Sequence, residues 1–458
     1  MNRLPALLVW ETRRLRRNRT AWLAAAGLVL AGLIAVFSGL TTTSAQRTAA
    51  DRLPGLYQAQ MERIARQFSG GGEAGYIAYY TFFPAHHPAP PLAPLALGVR
   101  DVAPNIHWVR LLGLEGQIYE SEIGNPALQA LGGLDLAFVL IALAPLALLV
   151  LTHDSLTRDR AAGRLPLLAS QSGSVTTLLA VRILLPAVGI FLLLGALAAL
   201  GASLNNASFT QLLPWLTASA AYLAFWSAVS GLLAVVCRTP AASLSVALAS
   251  WVTLVILAPA LLNLAIATAY PAPEGLQLTV AQRQEIHSGW DRPKEATFSR
   301  FHATHPEWND APPVTGRFAW RWYYAMHQVG DESVAPESRR YREQLRARHT
   351  TLRRVSWLIP PAYAQILLAS RAGTDLDAHL DYLDRVRAFH AQLRHFFYPL
   401  LFGPEEATLQ PADYAGFPRF DATPPAPPPA TSAAPPLLLA ALLALLAWIA
   451  AKRLPLFA

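Results

Sequence analysis

Six apolar runs alternate with polar segments along the chain. They are Ala21–Leu40, Leu134–Leu151, Leu178–Leu200, Trp215–Val236, Leu244–Ala269 and Leu437–Ala451. A helix crosses a hydrocarbon core of ~30 Å with about 20 apolar residues, at ~1.5 Å each. The first five runs meet that length. The sixth is shorter, but Lys452 and Arg453 can snorkel, and Leu456 and Phe457 add apolar surface. The pattern predicts an all-α polytopic membrane protein with six transmembrane helices. Ahead of the first run, residues 1–20 place Leu4, Leu7, Leu8 and Leu15 on one helical face. The cluster Arg13, Arg14, Arg16 and Arg17 meets lipid headgroups there, so an amphipathic interfacial helix is expected. The run Ala21–Leu40 is longer than a signal-peptide core of roughly 7–15 residues, which makes it an anchor.

The spaces between the runs are unequal. Residues 41–133 and 270–436 are long insertions, each expected to be a mainly helical domain. In the first, helix continues to Gln67, Ser69–Glu73 is a glycine-rich break, and 84–95 is proline-rich and extended. The second is long enough for its own core, with helix expected over 337–402 and a Pro/Ala linker at 417–436. The connectors at 201–214 and 237–243 are short, so spans two to five are expected to be neighbours. Pro145, Pro186 and Pro259 lie inside spans two, three and five, where each frees backbone groups that neighbours must satisfy.

Charge orients the predicted bundle. Arginines crowd the first twenty residues, and Arg158, Arg160 and Arg164 lie in the 152–177 loop. Arg238 follows the fourth run, Lys452 and Arg453 end the sixth, and 201–214 carries no charge. The positive-inside rule then puts both termini and the 152–177 loop in the cytoplasm, and the two insertions outside. Only 14% of the 458 residues are charged, against about 25% in soluble domains. The net charge of +8 is largely accounted for by topology and comes with no nucleic-acid-binding signature, so no nucleic acid is expected as a partner. The single cysteine, Cys237, excludes an internal disulfide.

Catalytic chemistry is hard to find. No Gly-Lys-Ser/Thr phosphate loop, HExxH or GxSxG motif is present. The pairs His302/His305 and His86/His87 lack a visible carboxylate or further ligand, so no metal or cofactor is expected in this chain. Charges within the apolar runs are few. Asp135 and Arg182 lie near span ends, where snorkelling makes charge inexpensive. Asn263 is deeper, with an interhelical hydrogen bond as its expected role and substrate contact as the alternative. No charge relay is evident, so energy is expected to enter from outside the chain.

The 152–177 loop is the strongest functional signal. Leu156, Leu165, Leu167 and Leu168 interleave with Asp154, Arg158, Asp159, Arg160 and Arg164, and Gly163 interrupts the helix between them. A short two-faced helix at the bilayer surface can press leucines into a partner's groove while charges grip the rim. The charges alone would also suit a plain positive-inside loop.

This loop resembles the signature of ABC-2-type transporter permeases. Asp154 and Asp159 stand at the acidic positions, Gly163 and Leu165 at those of a Gly-Thr-Leu element, Leu167 and Leu168 at a Leu pair, and Arg182 at the closing basic residue. Asp159 replaces a commoner Glu and Arg164 a Thr. Segments 91–104, 116–126, 132–146 and 357–402 resemble the branch with two extracytoplasmic insertions. The resemblance implies a permease working with two copies of a cytoplasmic ABC ATPase, which holds ATP and Mg, and with a second permease, identical or paralogous. It implies a coupling role for Asp154, Leu156, Arg158, Asp159, Arg160, Gly163, Arg164, Leu165 and Leu168, with the N-terminal helix adding contacts to the ATPase. No catalytic residue is implied in this chain. The large insertions suggest a periplasmic partner. The competing reading is a membrane-anchored assembly or sensing protein that presents its exterior domains to such a partner.

Overall fold

The computed structural model describes residues 3–120, 133–272, 275–314, 316–423 and 432–453. The chain is about 78% helical with almost no sheet. Among the described residues six helices are long and apolar enough to cross a membrane; five contain their apolar run whole, and the second begins two residues inside its run, at Leu136. They are Arg19–Gln67, Leu136–Ala161, Val175–Leu204, Phe209–Val236, Pro240–Ala269 and Ala434–Lys452.

Prolines shape two of these spans through their missing donors. In the second, a π-helical segment, Val139–Leu143, leads into Pro145. Proline cannot donate to the carbonyl four residues back, here Ile141. Tyr222 of the fourth span supplies the missing donor, its hydroxyl 2.7 Å from that carbonyl. Trp251 Nε1 of the fifth span donates to the next carbonyl, Ala142, at 2.9 Å. The fifth span also carries a π-helical segment, Val252–Leu257, ahead of its proline, Pro259. The core around these contacts is built on Trp215, Tyr222 and Trp226, all fully buried. The sixth span packs along the fourth. Small residues allow the approach, since a Cβ added at Gly231 would lie 3.8 Å from that of Ala447.

The first span does not end at the predicted boundary near Leu40. It continues as one helix to Gln67, as the sequence pattern led one to expect for 41–67, and so joins the bundle to the insertions without a break. Gly39 lets it cross the 93–95 turn closely, where a Cβ would overlap the Pro94 carbonyl. Beyond the bundle the two insertions share one core. Ile77, Phe83, Leu111 and Ile118 of the first pack with Phe301, Tyr324, Phe389 and Phe397 of the second. A two-residue antiparallel pair joins Gly72–Glu73 to Thr408–Leu409, across the same divide. The other small sheet pairs Phe83–His86 with Ile106–Val109. Partly buried polar contacts reinforce the join. Arg387 holds Glu115 with two 2.9 Å bonds, and Ser338 Oγ donates to the same carboxylate at 2.7 Å. The charge-assisted bonds from Arg387 help keep the Glu115 carboxyl below its usual pKa against the opposing effect of burial. Residues 121–132 and 424–431, within the predicted first insertion and the Pro/Ala linker, lie outside the described residues.

Candidate functional site

The 152–177 loop folds into two short helices, Thr157–Ala161 and Leu165–Ser172. Gly163 turns the chain between them at φ +66°, a conformation that glycine adopts without strain. Leu156 and Leu165 point inward and are buried. They meet Leu178, Leu179 and Ile183 of the third span, Ala234 and Val235 of the fourth, Ala451 of the sixth and Leu7 of the N-terminal helix. Leu168 packs at the edge of this cluster, whereas Leu167 stands exposed.

Beneath the loop lies a buried charge cluster with Arg182 at its centre. The expectation that Arg182 snorkels near a span end is wrong, because its side chain is only 1% exposed. Its Nε donates to Glu11 at 2.6 Å and its Nη1 to Asp159 at 2.7 Å, and the same nitrogen also donates to the Ser155 carbonyl. Glu11 and Asp159 are themselves buried. Each has a second, exposed guanidinium, Arg14 for Glu11 at 3.3 Å and Arg164 for Asp159 at 3.0 Å. A guanidinium in low dielectric needs such acceptors, since burying an unpaired charge is prohibitive. Through Arg182 the cluster ties together the N-terminal helix, the loop and the third span.

Arg160 anchors the loop separately, donating to the Cys237 and Val235 carbonyls at the end of the fourth span. Asp154 is turned to Arg158, 2.5 Å away and one helical turn on. Arg158 and Arg164 present their outer surfaces to solvent, as do Arg13, Arg16 and Arg17 of the N-terminal helix. The structure thus gathers the nine loop positions singled out in the sequence into one anchored patch. Glu11 and Ser155 are the members that sequence reasoning missed. A lone acid in an arginine-rich helix was the available signal for Glu11.

Other candidates do not assemble. Asn263 is exposed and makes no hydrogen bond among the described residues, so the expected interhelical bond is not formed within the chain. Asp135 is buried and caps the second span, accepting from Phe138 N at 2.8 Å and Leu97 N at 2.9 Å. His86 ends its strand and lines a pocket that does not include His87. His87 stacks on Tyr382, and burial pushes its pKa down to about 3. His305 stacks on Phe301. A different trio, His349, Asp375 and Asp377, brings its ligand atoms within 4.8 Å of one another. The residues fit a cation poorly. Asp375 caps the Leu376–Phe402 helix, and the Arg353 guanidinium lies 3.6 Å from Asp377.

A protein-family model described as a domain of unknown function (DUF3526) matches residues 276–423, within the second insertion. No curated protein and no solved structure matches the chain.

Proposed function

We propose that this chain is the permease subunit of an ABC-2-type transporter, driven by a separate ATPase that docks on the 152–177 loop. The observation that carries the reading is the Glu11–Arg182–Asp159 cluster. A docking surface that passes on a push must be held to the spans that move. Arg182 makes that connection in the low-dielectric interior, where charge-assisted bonds are strong. The arginines around the loop and the N-terminal helix support a cytoplasmic location for this face, in a bacterial inner membrane, with the two insertions on the opposite side. ATP and Mg belong to the partner, which binds in two copies. ATP binding would favour one permease conformation through contacts that differ between the two states.

The fifth span supports a second permease as a further partner. Only 6% of the residues in its most apolar stretch are buried within the chain, against 72% in the fourth span. Asn263 on this span is a polar group that a facing helix could satisfy. The test is co-purification with an ATPase encoded nearby, followed by ATPase assays in lipid nanodiscs. Charge reversal at Asp154 or Asp159 is expected to uncouple ATPase stimulation. Normal assembly and stimulation in both variants would overturn the proposal. The shared core of the insertions also suits the competing reading of a membrane-anchored assembly protein. In that case exchange of spans three to five for unrelated helices would preserve function, an exchange a permease would not survive.

A further inference from the structure

A pocket of about 460 Å³ opens between the outer part of the first helix, the Phe83–His86 strand, the Leu376–Phe402 helix and the turn at 414–420. Its volume falls in the range of small-molecule sites, roughly 300–1,000 Å³. The walls are aromatic: Tyr57, Phe83, Phe389, Tyr414 and Phe420 all line it. These rings brace one another, with Phe83 and Phe389 packed edge to face at 6.2 Å and Phe389 and Phe420 at 5.6 Å. The lining therefore reads as a formed site and not a gap between loose side chains.

Three polar groups in this pocket have no hydrogen-bond or ion-pair partner among the described residues. The Tyr57 and Tyr414 hydroxyls are buried and make no hydrogen bond among the described residues. Tyr414 as a whole is only 7% exposed. Buried hydroxyls are nearly always bonded, so two orphans in one pocket point to acceptors that come from outside the chain. Burial and the neighbouring Asp413 raise the pKa of the Tyr414 phenol, which stays a donor at neutral pH. The third group, Arg419, lines the same pocket and is exposed, with no ion pair among the described residues. The acids nearest to it in sequence are engaged elsewhere, Asp413 with the Gln410 amide and Asp421 with the Thr423 amide. His86 also lines the pocket, and burial lowers its pKa, so it adds no charge at pH 7.

We propose that this pocket binds a ring-bearing carboxylate. The ring lies against Phe83, Phe389 and Phe420, and the carboxylate accepts from the Tyr57 and Tyr414 hydroxyls and faces Arg419. Aromatic walls favour a flat apolar body, two phenol donors require an acceptor, and an unpaired guanidinium selects an anion over a neutral analogue. The site does not depend on the transport reading, since it needs neither the loop nor an ATPase.

The test uses the full chain in lipid nanodiscs, with 2-naphthoate as the probe and 2-naphthamide as its neutral analogue. Binding is followed by calorimetry, with protein-free nanodiscs subtracted. Saturable binding of naphthoate in preference to the amide is expected. The double variant Tyr57→Phe with Tyr414→Phe keeps the rings and should weaken naphthoate about tenfold or more. Arg419→Gln should erase the preference for the acid. Three results would overturn the proposal: no saturable binding up to millimolar probe, equal affinity for acid and amide in the unmodified chain, or unchanged affinity in the tyrosine double variant.

Discussion

Arg182 and Glu11 lie 171 residues apart and meet at 2.6 Å in the interior. The bond makes the N-terminal helix part of the bundle as well as a lid on its surface. Replacing Arg182 by Met would leave Glu11 and Asp159 buried without their shared counter-charge. The expected loss is about 3–5 kcal/mol, the usual consequence of breaking a buried pair from one side. Thermal unfolding in detergent would register it as a clear drop in midpoint. A midpoint unchanged from wild type would mean that water or lipid already screens this cluster.

The outward charges should behave differently. Arg158 is 69% exposed and Arg164 58%, so their ion pairs contribute little, on the order of 0–1 kcal/mol. Arg158→Glu together with Arg164→Glu is expected to leave the unfolding midpoint nearly unchanged while ATPase stimulation falls. Loss of stability and stimulation in parallel would argue that these residues hold the fold instead of contacting a partner.

Tyr222→Phe tests the proline device in the second span. It removes the donor to Ile141 and leaves that carbonyl unsatisfied in an apolar environment. The expected destabilisation is about 1–3 kcal/mol. Ala substituted at Pro145 in the same background would restore a backbone donor and should recover part of the loss.

Acid should weaken the domain formed by the insertions. Burial pushes His87 down to about 3, His107 to about 4 and His390 to about 3, against an ordinary value near 6.5. The folded state therefore binds fewer protons than the unfolded state below about pH 6.5. The stability these groups allow is complete above that pH and declines as pH falls toward 3–4. Asp331 acts in the opposite sense. Burial raises it to about 6 and also raises Asp381 and Glu406, so these carboxyls favour the folded state at low pH, but the histidines outnumber them, since burial lowers His327 to about 3 and His379 to about 4 as well. Unfolding midpoints should hold between pH 7.5 and about 6.5 and fall from there toward pH 4, and a flat profile over that lower range would contradict the argument.

A second copy against the fifth span is open to a direct check. Cysteines introduced at Leu261 or Leu264, both exposed, in a Cys237→Ser background should crosslink between copies in the membrane. Crosslinks at Leu192 of the third span but not at these positions would place the partner elsewhere.

The six spans were legible because hydropathy alone marks them. Residues 152–177 were legible as a patch because their leucines and charges are local in sequence. Arg182 was misread for the opposite reason. Its acids arrive from 171 and 23 residues away, and a basic residue near a span end has a cheaper fate whenever no partner is known. The shared core of the insertions was hidden for the same reason. Glu115 and Arg387 are 272 residues apart, and the strand pair that crosses between the insertions is two residues long. Neither leaves a local pattern. Tyr222 could have been suspected only by asking which hydroxyl would answer for Pro145.

The helix of the first span, Arg19–Gln67, runs for 49 residues, about 74 Å at 1.5 Å per residue. It is held at both levels. Arg47 donates to Asn205 beside the bundle, and farther along Gln60 donates to the Phe82 carbonyl in the domain beyond. A strut gripped at two heights turns a small tilt at one end into a larger displacement at the other. Any rocking of the first span would thus reach the aromatic pocket lined by Tyr57 by way of Pro54, the proline inside this helix, where the missing backbone donor makes the strut easiest to bend.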